Sequence, residues 1–256
     1  MAGHNKWSKI KRKKLVTDGR RSKAWTMCLR AVMMAARSGG PDPDFNFALR
    51  TAIDEAKYHN VPKDNLERAI KKGAGGGDGE NYEQARYEGH GPGGVAIVVE
   101  SLTNNRTRTA GDLRLIFSDH NGKLGTTGCV GFMFETKGRI TLPGKPADEE
   151  RLFEVAAGAG ADDIQYDAAD DEDDPGTWTI LTSVPAFIGV KAALEKAGHK
   201  LIESRIEQIP TTLTQVGGDQ AKEVLELIEA LEDNDDVQRV YTNADIPDDV
   251  LAAMNS

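Results

Sequence analysis

The chain has 256 residues, of which 39% are hydrophobic and 29% charged, and a formal net charge of -9. That length predicts two or three domains with cores large enough to need no disulfide or metal staple, and the composition excludes a disordered chain. Two isolated cysteines, Cys28 and Cys129, exclude a disulfide framework and a Cys-x-x-Cys site, and no apolar run approaches the ~20 residues of a membrane span.

The signs of charge are segregated. Residues 1–72 balance at +10 and residues 73–256 at -19. Such asymmetry predicts that one end meets a polyanion while the rest stays soluble and repels it. Residues 1–21 hold Lys6, Lys9, Lys11, Arg12, Lys13, Lys14, Arg20 and Arg21 against the single acid Asp18. This segment has the charge of a signal peptide but no apolar stretch behind it, so a cytoplasmic protein with a mobile basic arm is expected.

Residues 22–80 predict a three-helix bundle. Trp25, Leu29, Val32, Met33 and Ala36 recur at helical spacing from Ser22 to Arg37, and Ser38-Gly39-Gly40-Pro41 stops the helix. Phe45, Leu49, Ala52, Ile53 and Ala56 form a second stripe. Pro62 opens a third helix at its first position, Leu66, Ala69 and Ile70 face inward, and Gly73 ends it. The run 73–81 reads as a flexible linker.

The remainder alternates strand and helix. Strands are expected at Val95–Leu102 and Cys129–Glu135 around a helix at Thr109–His120. A matching unit has a strand at Glu207–Val216, a helix at Asp219–Glu232 and a strand at Val237–Thr242. Between them lie a strand at Arg139–Leu142, a helix at Asp148–Gly158, strands at Asp163–Asp167 and Thr177–Thr182, a helix at Pro185–Ala197 and a strand at Leu201–Ile206. That is a β-α-β-β-α-β pattern. The predicted class is α+β: a three-helix bundle plus two ferredoxin-like α/β domains, 136–206 being inserted into 82–135 with 207–246.

Tests for chemistry are mostly negative, and neither catalytic residues nor a metal site nor a cofactor is expected. Gly89-His-Gly91-Pro-Gly93-Gly94 matches G-x-G-x-x-G, but a strand rather than a helix follows it, so it reads as a strand-entry loop. There is no phosphate-binding loop ending Gly-Lys-Ser/Thr, no His-Glu-x-x-His and no Gly-x-Ser-x-Gly, and the five histidines are scattered. The acidic run 162–174 lacks the spacing of a calcium loop and reads as a solvated hairpin tip. Two features point to a function. The basic arm can neutralise phosphates while Trp7 stacks on a base or pins the arm to the body. The loop Asn104-Asn105-Arg106-Thr107-Arg108 sets two guanidiniums at a helix N-terminus, where an anion is favoured or the helix is simply capped.

The stretches MAGHNKWSKIKRKK, SGGPDPDFNFALRTAIDEAK, NVPKDNLERAIKKGAG, RYEGHGPGGVAIVVESLTNNRTRTAGDLR, GKLGTTGCVGFMFE and LEDNDDVQRVYTNADIP closely resemble the YebC/PmpR family. The likeness is dense up to Glu135 and looser from Thr136 to Ser204. It implies three domains, one inserted in another, and a cytoplasmic DNA-binding transcriptional regulator without enzyme activity or cofactor. Some relatives, among them a mitochondrial translational activator, act on translation, which keeps a ribosome-associated factor contacting ribosomal RNA as the alternative. A small-molecule-sensing α/β module has only fold analogy behind it. The expected partner is duplex DNA or ribosomal RNA, with no membrane and no small-molecule substrate. The expected contact residues are Lys6, Trp7, Lys9, Lys11, Arg12, Lys13, Lys14, Arg20, Arg21, Lys23, Arg106 and Arg108.

Overall fold

A computed structural model describes residues 18–75, 82–145, 148–168 and 176–247, with side chains from Ser22 onward. Residues 1–17 of the expected arm, the 76–81 part of the linker and the acidic residues 170–174 lie outside that range, and residues 18–21 of the arm are instead helical. Contacts divide the chain into two compact units. One comprises the described residues up to Phe134 and from Pro210 on, the other Glu135–Ile209.

The helical stripes read from the sequence build the first part of the larger unit. Helix α1 (Asp18–Gly39) ends where Gly40 takes a positive φ of 90° and Pro41 follows. Helix α2 (Phe47–Tyr58) begins after Asn46, whose side chain accepts the Leu49 N–H and donates to the Ala35 and Gly40 carbonyls. Helix α3 (Lys63–Ala74) follows Pro62, which sits one position earlier than expected, as the N-cap. Cys28, Val32, Ala36, Leu49, Ala56 and Leu66 form the buried core, with Trp25, Leu29, Ile53 and Ile70 against it. Phe45 departs from the expected stripe. It precedes α2 in the turn closed by Asn46 and is 90% exposed. Gly73 allows α3 to cross α1 closely, since a Cβ there would lie 2.2 Å from the Met33 carbonyl oxygen.

The α/β part of the same unit differs in detail from the expectation. A strand absent from the sequence reading, β1 (Glu83–His90), forms a hairpin with β2 (Ala96–Thr103), in register from Glu83 opposite Thr103 to His90 opposite Ala96. The G-x-G-x-x-G match is the hairpin turn. Gly93 and Gly94 take φ values of 68° and 76° within a 3-10 turn, and strands flank it on both sides. Helix α4 (Arg106–Asp119) starts three residues earlier than predicted, because Asn105 caps it by accepting the Arg108 N–H. Strand β3 (Lys123–Leu124) is short, and Cys129–Glu135 is not a strand of this sheet. Its N–H groups at Val130 and Gly131 turn onto the buried Glu88 carboxylate, Gly131–Met133 forms a 3-10 turn, and Phe134 opens the next strand.

That next strand, β4 (Phe134–Pro143), starts the inserted unit, followed by α5 (Glu149–Gly158), β5 (Ala161–Asp167), β6 (Thr177–Thr182), α6 (Phe187–Lys196) and β7 (Glu203–Pro210). The sheet order β5-β6-β4-β7 is what a β-α-β-β-α-β chain gives when each helical crossover skips one strand. Its core packs Leu152, Ala156, Phe187, Val190 and Leu194 from the helices onto Ile140, Leu142, Trp178 and Ile180. A continuous strand at Glu207–Val216 was also expected, and the structure breaks it. Residues to Pro210 complete β7, while β8 (Thr214–Gln215) pairs in parallel with β10 (Ala244–Asp245). Helix α7 (Gly218–Asp233) and β9 (Val237–Thr242) then finish the outer unit, whose sheet runs β3-β1-β2-β9. The α+β class, the three N-terminal helices and the interruption of one α/β unit by another stand as read. The outer unit, however, is a hairpin followed by helical crossovers, not a second β-α-β-β-α-β fold.

On one face of the outer sheet, Val95, Ile97 and Val99 pack on Leu113 and Phe117 of α4 and on Val224, Leu225 and Ile228 of α7. The opposite face carries Ala96, Val98 and Tyr241, covered by Val130 and Phe134.

Candidate nucleic-acid interface

Of the twelve residues expected to contact a polyanion, Lys6, Trp7, Lys9, Lys11, Arg12, Lys13 and Lys14 lie outside the described residues. Arg20 and Arg21 fall on the first turn of α1. The other three are described in full, and two of them, Lys23 and Arg108, bond to the 232–236 turn instead of facing solvent together with Arg106.

Lys23 points inward. Its ammonium donates to the Glu232 carbonyl at 2.5 Å, at the C-terminal end of α7. Burial lowers its pKa, against the opposing pull of Asp233, Asp235 and Glu232. One face of α1 continues this docking. Arg30 donates to the Asp235 carbonyl at 2.8 Å and lies 5.0 Å from the centre of the Tyr82 ring. Two cations thus meet the negative end of the α7 dipole. Arg239 of β9 and Glu55 of α2 form an ion pair beside them. Internal struts and phosphate ligands look alike in the sequence, because both are basic residues of the same segment.

Arg106 and Arg108 part company for a local reason. Both lie in the first turn of α4, but one guanidinium has a buried acceptor. Arg108 donates to Asp236 at 2.7 Å and to the Asn104 side chain at 3.1 Å. Asp236 is buried and also accepts from the hydroxyls of Thr109 at 2.7 Å and Thr103 at 3.2 Å. Burial pushes the Asp236 carboxyl up, but the bonds from Arg108, Thr109 and Thr103 outweigh it and hold the group below the ordinary aspartate value. The Asp236 hydrogen bond raises Arg108 in turn. Arg108 therefore ties the start of α4 to the start of β9. Arg106 stays 58% exposed at its side chain, with Glu83 3.8 Å away.

Three other cations lie outside the expected contact set. Arg37 in the last turn of α1 and Lys71 and Lys72 in the last turn of α3 are exposed, and none pairs with a described carboxylate. The close crossing at Gly73 places the end of α3 beside the Met33–Ala36 stretch of α1, which gathers these charges at one end of the bundle. The signal available in the sequence was Gly73 itself, a small residue directly after two lysines. Among the described residues, no group of three or more histidine, cysteine or acidic side chains could hold a metal ion, and no helix is long and apolar enough to cross a membrane.

A family model described as the TACO1/YebC protein N-terminal domain matches residues 5–76, and one described as the TACO1/YebC second and third domain matches residues 82–244. A protein of Citrifermentans bemidjiense named a probable transcriptional regulatory protein is 48% identical over 254 residues, covering 99% of this chain and 100% of its own length. A Geobacter sulfurreducens protein of the same descriptive name is 50% identical over 246 residues, 96% of each chain. The crystal structure of a conserved hypothetical protein from Aquifex aeolicus superimposes with a TM-score of 0.80 at 42% identity, covering 90% of this chain and 93% of that one. With both models matched in order, and relatives alike over nearly their whole length, the chain belongs to the TACO1/YebC family.

Proposed function

We propose that this protein is a cytoplasmic, DNA-binding regulator of transcription that catalyses no reaction and holds its target through the phosphate backbone. The observation that carries the reading is the charge segregation, +10 in residues 1–72 against -19 in the rest. A cationic end on an acidic body concentrates a polyanion at one place and keeps it off the remainder. The names of the relatives support a regulatory role. The contact set is the arm from Lys6 to Lys14 with Trp7, then Arg20 and Arg21, extended by Arg37, Lys71 and Lys72 and, more weakly, by Arg106. Lys23 and Arg108 belong to the scaffold in this reading. The exposed face of α3 presents Lys63, Arg68, Lys71 and Lys72 without a row of base-reading side chains, so sequence preference would come from DNA shape.

Fluorescence anisotropy with a labelled duplex tests this. If about six phosphates are neutralised, log affinity falls against log salt with a slope of about -5. Replacing Lys9, Lys11, Arg12, Lys13 and Lys14 together by Ala removes most of the binding. Retained binding with a flat salt response overturns the proposal. Sedimentation of lysate with and without DNase identifies the target. Co-migration with ribosomes that survives DNase would replace DNA by ribosomal RNA.

A further inference from the structure

The loop between β3 and β4 has a construction that the phosphate-gripping reading does not use. It presents a phenylalanine to solvent on a rigid base. Phe132 is 78% exposed, although its neighbours two positions away, Val130 and Phe134, are buried under the outer sheet. Four sets of bonds fix the turn. The Glu88 carboxylate accepts the N–H groups of Val130 at 3.0 Å and Gly131 at 2.7 Å. Gly125 N–H donates to the Glu88 carbonyl, Met133 N–H to the Val130 carbonyl, and Thr211 donates to the Met133 carbonyl from both its N–H and its hydroxyl. An aromatic ring held outward by an anchored turn loses little conformational freedom when something covers it.

The surroundings of the ring indicate what covers it. Arg86, Glu88 and His90 alternate along one face of β1, and Lys123 pairs with His90 on the same face. The Arg86 guanidinium pairs with the Glu88 carboxylate at 3.3 Å and lies against Gly131, where an added Cβ would be 3.0 Å from it. Lys123 is exposed, and no acidic residue occurs from Lys123 to Phe134, in a chain with 41 of them. The positions of Arg86 and His90 are about 13 Å apart along the strand, on either side of the carboxylate that holds the turn. Other exposed phenylalanines are set differently. Phe45 stands beside Asp42 and Asp44, and Phe153 follows Glu149 and Glu150 by one helical turn. Carboxylates there oppose an approaching phosphate.

We propose that Phe132 is a stacking platform for an unpaired nucleobase, with Lys123 taking a flanking phosphate. This rests on the nucleic-acid reading above and adds to it a preference for single-stranded or locally opened segments. A paired base has no free face for such a platform, whereas every unpaired base offers one.

The test uses the full chain, a 12-nucleotide single strand carrying 2-aminopurine at its centre, and the matching duplex. Wild-type protein is expected to bind the single strand with a change in 2-aminopurine fluorescence. Phe132→Ala should lose that change and weaken single-strand binding about 5- to 100-fold. Its duplex affinity and salt slope should not move, because no charge is removed. Phe132→Trp should restore both signals, and Lys123→Ala should reduce the single-strand salt slope by about one. Single-strand affinity unchanged in Phe132→Ala overturns the inference while leaving the phosphate reading intact. Wild-type protein that binds neither probe overturns both. Loss of duplex and single-strand binding in equal measure would also refute a stacking role.

Discussion

Asp236→Ala removes a carboxylate that holds three donors at once, and its cost follows from what each donor does afterwards. The hydroxyls of Thr103 and Thr109 are fully buried; without the carboxylate Thr109 keeps the Asn105 carbonyl at 3.1 Å and Thr103 keeps Thr109 at 2.8 Å, so both stay bonded but each loses its bond to a charged acceptor. A hydrogen bond to a charged group contributes about 1.5–3 kcal/mol. Arg108 is about half exposed and regains water, so its release adds little. Relief from burying the carboxylate itself offsets part of the loss. The net expectation is about 2 kcal/mol of destabilisation, with Asp236→Asn costing less because it keeps an acceptor. Urea unfolding measures the sum, and hydrogen exchange locates it at the start of α4 and at β9, with α5 and α6 as internal references. The pH dependence has a definite sign. Asp236 is depressed in the folded state, so its contribution is present above the unfolded value of about 3.9 and is lost as pH falls through the lower folded value. The gap between wild type and Asp236→Ala should therefore close in strong acid. A variant within about 0.5 kcal/mol of wild type at pH 7 would refute this account, since that is the range of an ordinary surface change.

Three further outcomes are expected. Gly73→Ala forces α3 away from the Met33 carbonyl and should cost about 2 kcal/mol, overpacking outweighing the gain in helix propensity; an unchanged melting temperature would contradict the close crossing. Glu88→Gln should speed hydrogen exchange at Val130 and Gly131. Burial pushes the Glu88 carboxyl up, but bonds from Val130, Gly131 and Gly128 and the Arg86 charge outweigh it, so wild-type protection of the turn should fade in acid as Glu88 protonates, while the variant's exchange shows no such step. Burial, with Glu55 nearby, pushes the Cys28 thiol up to about 12, so iodoacetamide at pH 8 should modify Cys129 first and reach Cys28 only on unfolding. Equal labelling rates would sink that reading.

Where hydrophobic period and stop signals coincide, as in α1 and α3, the elements could be read directly from the residues. The inserted unit was legible for the same reason, since its strands and helices alternate with clear breaks. Strand β1 was hidden because one of its faces carries Arg86, Glu88 and His90, of which only Glu88 is buried, through its bonds to a distant turn. The break in the expected strand Glu207–Val216 was hidden by a buried ion pair. Glu207 meets Arg139 at 3.2 Å and Arg205 at 2.7 Å inside the inserted sheet, and apolar periodicity does not register charged residues facing a core. At the candidate site, charge density found the basic segment, but the division between struts and exposed cations depends on partners far along the chain: the Glu232 and Asp235 carbonyls for Lys23 and Arg30, and Asp236 for Arg108.

The interruption of the outer unit also governs how the chain is made. Strand β2 takes Arg239 to Thr242 of β9 as its neighbour, and those residues leave the ribosome only after the whole of β4 to β7 has been synthesised. Until then a nascent chain displays the β-branched run Val95–Val99 with one edge unpaired, the condition in which strands join the wrong partner. The inserted unit can close on its own during that interval, because its sheet borrows nothing from outside. Translation pace across β4 to β7 thus sets how long the outer half waits, and truncation before β9 should yield a soluble inserted module attached to an aggregating remainder.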